Sequence, residues 1–197
     1  MISFNEDVMN KSADELSSDD IRILVDCLNL IDDKLRYKAF LLLSDRAEKY
    51  DDVFYYMKIM KDKLKSGNSY QRSIGLMLIA INSKWDKELI IDGIIDDYLA
   101  SLYDEKPITV RQCIQHLAKI IPYHKHLSDK IAAALMSINI SRIKETMQKS
   151  ILTDILNILL IIRKIKSNNE IEDYIVKALN GGLIDIKTKK NIVKELI

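Results

Sequence analysis

At 197 residues the chain has room for one domain or two small ones, and 48% hydrophobic with 30% charged residues exclude a disordered chain. Five Gly and two Pro are too few turn residues for a sandwich or barrel, two Cys exclude a disulfide framework, and no run of about 18 apolar residues offers a bilayer span. The net charge of +1 hides an asymmetry: residues 1–105 hold 14 basic and 21 acidic side chains (net −7), residues 106–197 hold 16 and 8 (net +8), which suits attraction of an acidic partner to the C-terminal half better than dedicated nucleic-acid binding.

The first residues, MISFNEDVMNKSADE, carry acids where a secretory signal carries bases, so a cytoplasmic protein is expected, with residues 1–17 a polar segment or short capping helix. Ile21, Leu24, Val25, Leu28 and Ile31 then fall on one helical face behind a Ser17–Asp20 capping box. Leu35, Ala39, Leu42, Leu43 and Ala47 make a second stripe, and Val53, Met57, Met60 and Leu64 a third, with Gly67 placed as a left-handed cap. A very apolar fourth helix covers 69–82, where GLMLIAI has the composition of a strand but the flanks and length of a buried helix. A fifth helix is expected over 88–103, a sixth from Pro107, a seventh over 127–138 and an eighth from Ser141 to about Lys166. A ninth, capped by Asn169 with Glu172, stops at Gly181-Gly182, and a tenth covers 185–197.

Ten helices joined by short loops suggest helix pairs, and the sequence repeats accordingly. LRYKAFLLL (35–43), QRSIGLMLI (71–79), VRQCIQHLA (110–118) and QKSILTDIL (148–156) align, each with a base at its second position: Arg36, Arg72, Arg111 and Lys149, at intervals of 36, 39 and 38 residues. A weaker fifth copy begins near Lys187. This pattern, with Val110-Arg111 near the start of a second helix, resembles the HEAT/armadillo repeats over about residues 18–197.

The resemblance implies an all-α, right-handed superhelix of about five HEAT-like helix pairs forming a single domain over 1–197, stabilised by stacking each pair on the next. It also implies a structural ladder of Arg36, Arg72, Arg111 and Lys149 in which a base pairs with an acid of the preceding turn: Asp32 or Asp33 for Arg36, Asp104 or Glu105 for Arg111. Ser66 and Asn68 stand before Arg72 and no acid stands just before Lys149, so the ladder of pairs is incomplete in those two repeats. In such repeats the second helices line a concave face. Offsets +1, +4, +5 and +8 from each base share one side of the helix. These are Tyr37, Phe40, Leu41 and Ser44, then Ser73, Leu76, Met77 and Ala80, then Gln112, Gln115, His116 and Lys119, then Ser150, Thr153, Asp154 and Asn157. The expected face therefore runs from apolar to polar. The expected contact residues for a protein or peptide with an acidic segment are Gln112, Gln115, His116, Lys119, Thr153, Asp154 and Asn157.

Reactive groups are sparse, and no catalytic residue, cofactor or metal is assigned. Cys113 and His116 are a helical turn apart, as a thiolate–imidazole pair would be, but lack an orienting third group and a glycine-rich oxyanion turn. His124 and His126 form H-x-H, which would need Asp129 or His116 to complete a metal set. Asp92, Asp96 and Asp97 would share a face of the fifth helix, as a wet acidic surface, and Trp85 reads as a plug between repeats. Arg72-Ser73-Ile74-Gly75-Leu76 is similar to the R-K-A-I-G-W stretch of bacterial alkylpurine DNA glycosylases built from HEAT-like repeats. That similarity implies DNA binding as the alternative to a non-catalytic scaffold, with Leu76 standing where the family has tryptophan.

Overall fold

A computed structural model describes residues 6–166 and 168–196. Residues 1–5 of the polar N-terminal segment and residue 197 of the tenth helix lie outside the described residues. Every regular element described is helical, and the chain divides into two compact units, Met1–Ile94 and Ile95–Ile197.

The first unit holds α1 (Glu6–Met9), α2 (Ser18–Cys27), α3 (Asp33–Lys49), α4 (Met57–Lys63) and α5 (Ser69–Asn82). The Ser17–Asp20 capping box is present: Asp20 N donates to Ser17 Oγ (3.3 Å) and Ser17 N to the Asp20 carboxylate (2.8 Å). The Lys11 ammonium at 2.7 Å and the Ser17 donors bring the Asp20 carboxyl down to about 2. Ile21, Leu24, Val25 and Leu28 are buried as their spacing predicts, whereas Ile31, expected on the same face, lies beyond the end of α2 and is exposed. Helix α2 packs against α3, which buries Ala39, Leu43 and Ala47. Arg46 fastens the N-terminal segment, donating to Ala13 O (2.9 Å) and to Asp52 (2.7 Å), with its guanidinium 3.7 Å from the Tyr50 ring centre. Trp85 donates to Ala47 O at the end of α3 (2.8 Å).

Residues 75–81 are helix, and Gly75 explains how α5 meets α4. A Cβ on Gly75 would lie 2.8 Å from Met60 O and 3.1 Å from Lys63 Cβ, so only glycine permits this approach. Two expectations are corrected in this unit. Val53 lies in a 3-10 turn (Asp52–Tyr56) ahead of the shorter α4. Gly67 is not left-handed; the chain leaves α4 through a Ser66 N–Lys63 O turn, and Asn68 caps α5 by accepting from Tyr70 N.

The fifth helix over 88–103 is also corrected. Leu89 adopts a left-handed conformation (φ 56°), and the Asp86 carboxylate accepts from Ile90 N and Ile91 N, which starts a 3-10 turn, Ile90–Gly93. Asp92 sits in that turn, whereas Asp96 and Asp97 open the separate α6 (Ile95–Ala100), so one continuous helical face does not carry the three carboxylates.

The second unit continues with α7 (Pro107–Ile120), α8 (Ser128–Met136), α9 (Glu145–Ile165), α10 (Asn169–Asn180) and α11 (Ile186–Leu196). Pro107 occupies the first turn of α7, where its missing N–H leaves no hydrogen bond unmade. The helix expected from Ser141 begins at Glu145, because Ile143 is extended and Asn139 closes a 3-10 turn on Ser141 N (3.1 Å). Among the described glycines only Gly182, just past α10, is left-handed (φ 82°). The 21-residue α9 is the hub of this unit, packing against α7, α8, α10 and α11.

Candidate functional site

Burial decides which residues of α7 and α9 can meet a partner. In α7 the spacing of Val110, Cys113, Ile114, Leu117 and Ile120 drives one side into the core, leaving Gln115 and Lys119 exposed and Gln112 and His116 half-buried. In α9, Ile151, Leu152, Ile155, Leu156, Ile158, Leu159, Leu160 and Ile162 are all buried. Between Ile151 and Ile162 only Thr153, Asn157 and Ile161 are not buried, and with Ser150 and Lys164 they make an outward line at spacings of three and four residues.

Beside this line lies a groove of about 450 Å³ between α9 and α11. Thr153, Asn157, Leu160, Ile161 and Lys164 form one wall and Thr188, Asn191, Ile192 and Glu195 the other. Two ion pairs hold the walls in register: Lys164 with Glu195 (2.5 Å), and Lys149 with Asp185 (2.5 Å). Asp185 also accepts from Thr188 N and Oγ1 at the start of α11, and with Lys149 these donors hold its carboxyl well below the usual range. Sequence reasoning misses Thr188, Asn191 and Glu195, although their spacing of three and four residues mirrors that of Thr153 and Asn157.

Of the expected contact residues, the structure brings Thr153 and Asn157 to this groove and leaves Gln112, Gln115, His116 and Lys119 on the adjacent α7. Asp154 is placed differently. It is buried, and its carboxylate accepts from Arg111 Nε (2.6 Å), Arg111 Nη2 (3.3 Å) and Gln115 Nε2 (3.0 Å), which ties α9 to α7. The offset rule puts Asp154 outward because it treats every second helix alike, whereas the long α9 is apolar around most of its circumference.

The ladder bases fall into two kinds. Arg36 and Arg72 each reach back to a carbonyl six residues earlier, Leu30 O (2.9 Å) and Ser66 O (2.7 Å), and Arg36 also pairs with Asp33. Arg111 and Lys149 reach forward to acids of the next helix pair, Asp154 and Asp185.

Burial governs the reactive pairs as well. Cys113 is fully buried and donates to Tyr98 O (3.4 Å), while Tyr98 Oη donates to Cys113 O (3.3 Å). Burial pushes the thiol pKa far up, the reverse of an activated nucleophile. His116 Nδ1 donates to Gln112 O (3.0 Å), and burial, helped by the Lys119 charge, pushes its pKa down, so the ring is neutral near pH 7. His124 is buried and His126 exposed, with ring centres 6.0 Å apart, and Asp129 pairs with Lys166 (2.7 Å).

No protein-family model and no curated protein matches the sequence. Among solved structures the chain is similar to a designed armadillo repeat protein in complex with the peptide (KR)4, at 12% identity and a TM-score of 0.57, over 96% of this chain and 87% of that one. It is also similar to an engineered protein of known crystal structure, at 14% identity and a TM-score of 0.51, over 94% and 88%. The fold is therefore an all-α, armadillo/HEAT-like helical repeat. No described helix is long and apolar enough to cross a membrane.

Proposed function

We propose that this protein is a non-catalytic binding scaffold that takes an acidic protein or peptide segment on α7 and α9 and in the groove beside α11. The observation that carries this reading is the outward line through Thr153, Asn157 and Ile161 on the otherwise buried stretch 151–162 of α9, which opens onto a groove of about 450 Å³ where Leu160, Ile161 and Ile192 lie beside amide, hydroxyl and charged side chains. Such groups fix the backbone of an extended partner through hydrogen bonds. The net +8 of residues 106–197 and the exposed Lys119, Lys187, Lys190 and Lys194 favour negative charge in that partner. The designed armadillo neighbour holds a basic peptide; the opposite balance here supports an acidic one. A single binding domain over 1–197 acting in the cytoplasm completes the proposal, and the two free, buried thiols Cys27 and Cys113 suit a reducing compartment.

The DNA-binding alternative draws little from the residues that suggest it. Leu76 is fully buried, so it offers no side chain to a groove, Arg72 donates to Ser66 O within its own loop, and Gly75 is required by the approach of α4. The test is fluorescence anisotropy with three probes: an alternating Asp-Glu peptide of the same length as (KR)4, (KR)4 itself, and a DNA duplex. Binding of the acidic peptide alone, weakening as salt is raised, is expected. Preference for (KR)4 or for the duplex overturns the reading.

A further inference from the structure

Among the described residues Lys63 is the one lysine buried to 6% exposure, and it lines a cavity of about 330 Å³ in the first unit. The other walls are Asn29, Ile59, Asp62, Ser66 and Gln71. The ε-nitrogen donates to Asn29 Oδ1 (2.8 Å) and to Gln71 Oε1 (2.6 Å). Gln71 cannot turn its amide around, because its own Nε2 donates to Leu28 O (2.6 Å). A neutral amine satisfies this arrangement completely: two N–H bonds go to two amide oxygens, and the nitrogen lone pair takes the remaining tetrahedral corner.

The charges around the nitrogen favour that neutral form. Burial comes first, and the Arg36 guanidinium on α3 adds repulsion, bringing the Lys63 pKa to about 8. Asp62 stands on the cavity wall but is exposed, and Asp33 is engaged with Arg36. The walls mix hydroxyl, amide and carboxylate groups with Ile59, which suits a small, neutral, hydroxylated molecule.

We propose that Lys63 is a covalent capture site for small hydroxylated aldehydes. The lone pair adds to the carbonyl carbon while the C=O π pair moves to oxygen, which takes up a proton, giving a carbinolamine. Loss of that hydroxyl as water, with the second N–H proton returned to solvent, gives the imine. Amine and aldehyde become imine and water, with nothing oxidised or reduced.

The test uses the full chain, glycolaldehyde and cyanoborohydride as an external trap, with the modified lysines mapped by peptide mass spectrometry. Lys63 is expected to be labelled roughly ten-fold or more faster than Lys58 and Lys65 at neutral pH. Its rate is expected to rise to a midpoint near pH 8. Gln71→Leu, checked for helix content, is expected to slow labelling at Lys63 alone. The wild-type comparison needs no variant to fold. Labelling of Lys63 no faster than Lys58 and Lys65, or labelling only after unfolding in urea, overturns the proposal.

Discussion

A carboxylate that leaves water must be met by donors, and Asp154 depends on very few of them. Arg111 supplies two of its three hydrogen bonds, so Arg111→Ala should leave a buried anion with Gln115 alone. The expected loss is roughly 1–3 kcal/mol, read as a shift in the urea midpoint; an unchanged midpoint removes Arg111 from the structural ladder. Lys63 makes an opposite, pH-dependent prediction. Its pKa falls on folding from 10.5 to about 8, so between those values the unfolded chain holds a proton that the native chain does not. Stability contributed at this site should therefore rise with pH from about 8 to about 10.5 and stay flat below that window. Comparing urea midpoints of the wild type and Lys63→Met across this range isolates the effect. A parallel pH dependence in both proteins counts against it.

Helices are the scale at which this sequence is most readable, and the places where it is not share a physical cause. Stripes such as Ile21, Leu24, Val25 and Leu28 alternate apolar and polar groups, so period and burial agree. Residues 88–103 carry apolar residues on several sides, and the break there rests on Leu89 in a left-handed conformation, stabilised by a side-chain cap from Asp86. For the same reason the outward line on α9 is only half legible. Thr153 and Asn157 fall where expected, but the fate of Asp154 depends on Arg111 in another helix pair, 43 residues away. Gly75 is visible in the repeat alignment, yet its purpose is visible only in the approach of Met60 O. Gly75→Ala should improve local helix propensity by about 1 kcal/mol. Overpacking against α4 should cost more, for a net destabilisation of roughly 1–2 kcal/mol. A neutral or stabilising result in thermal unfolding means that α4 yields more easily than the 2.8 Å approach indicates.

The whole chain combines an acidic first half with a basic second half, and its proposed function depends on the second. A variant that tests this must spare Gln115, because Gln115 supports Asp154. Replacing Lys119, Asn157 and Asn191 together by alanine should change stability by about 0.5 kcal/mol per exposed site. The same variant should weaken capture of the acidic peptide at least about ten-fold. Capture that survives in a folded variant moves the binding surface elsewhere. The two cysteines carry a consequence of a different kind. Cys27 lies in the first compact unit and Cys113 in the second; each is at 0% exposure with its thiol pushed toward the protonated form. Neither can meet a disulfide reagent such as dithiobis-nitrobenzoate until its surroundings open, so the labelling rate at each position counts opening events in one unit. Nature has left the molecule with two internal clocks and no added probe. Equal rates that respond together to urea mean that the 197 residues open as one cooperative body, and rates that part company mean that each unit keeps its own time.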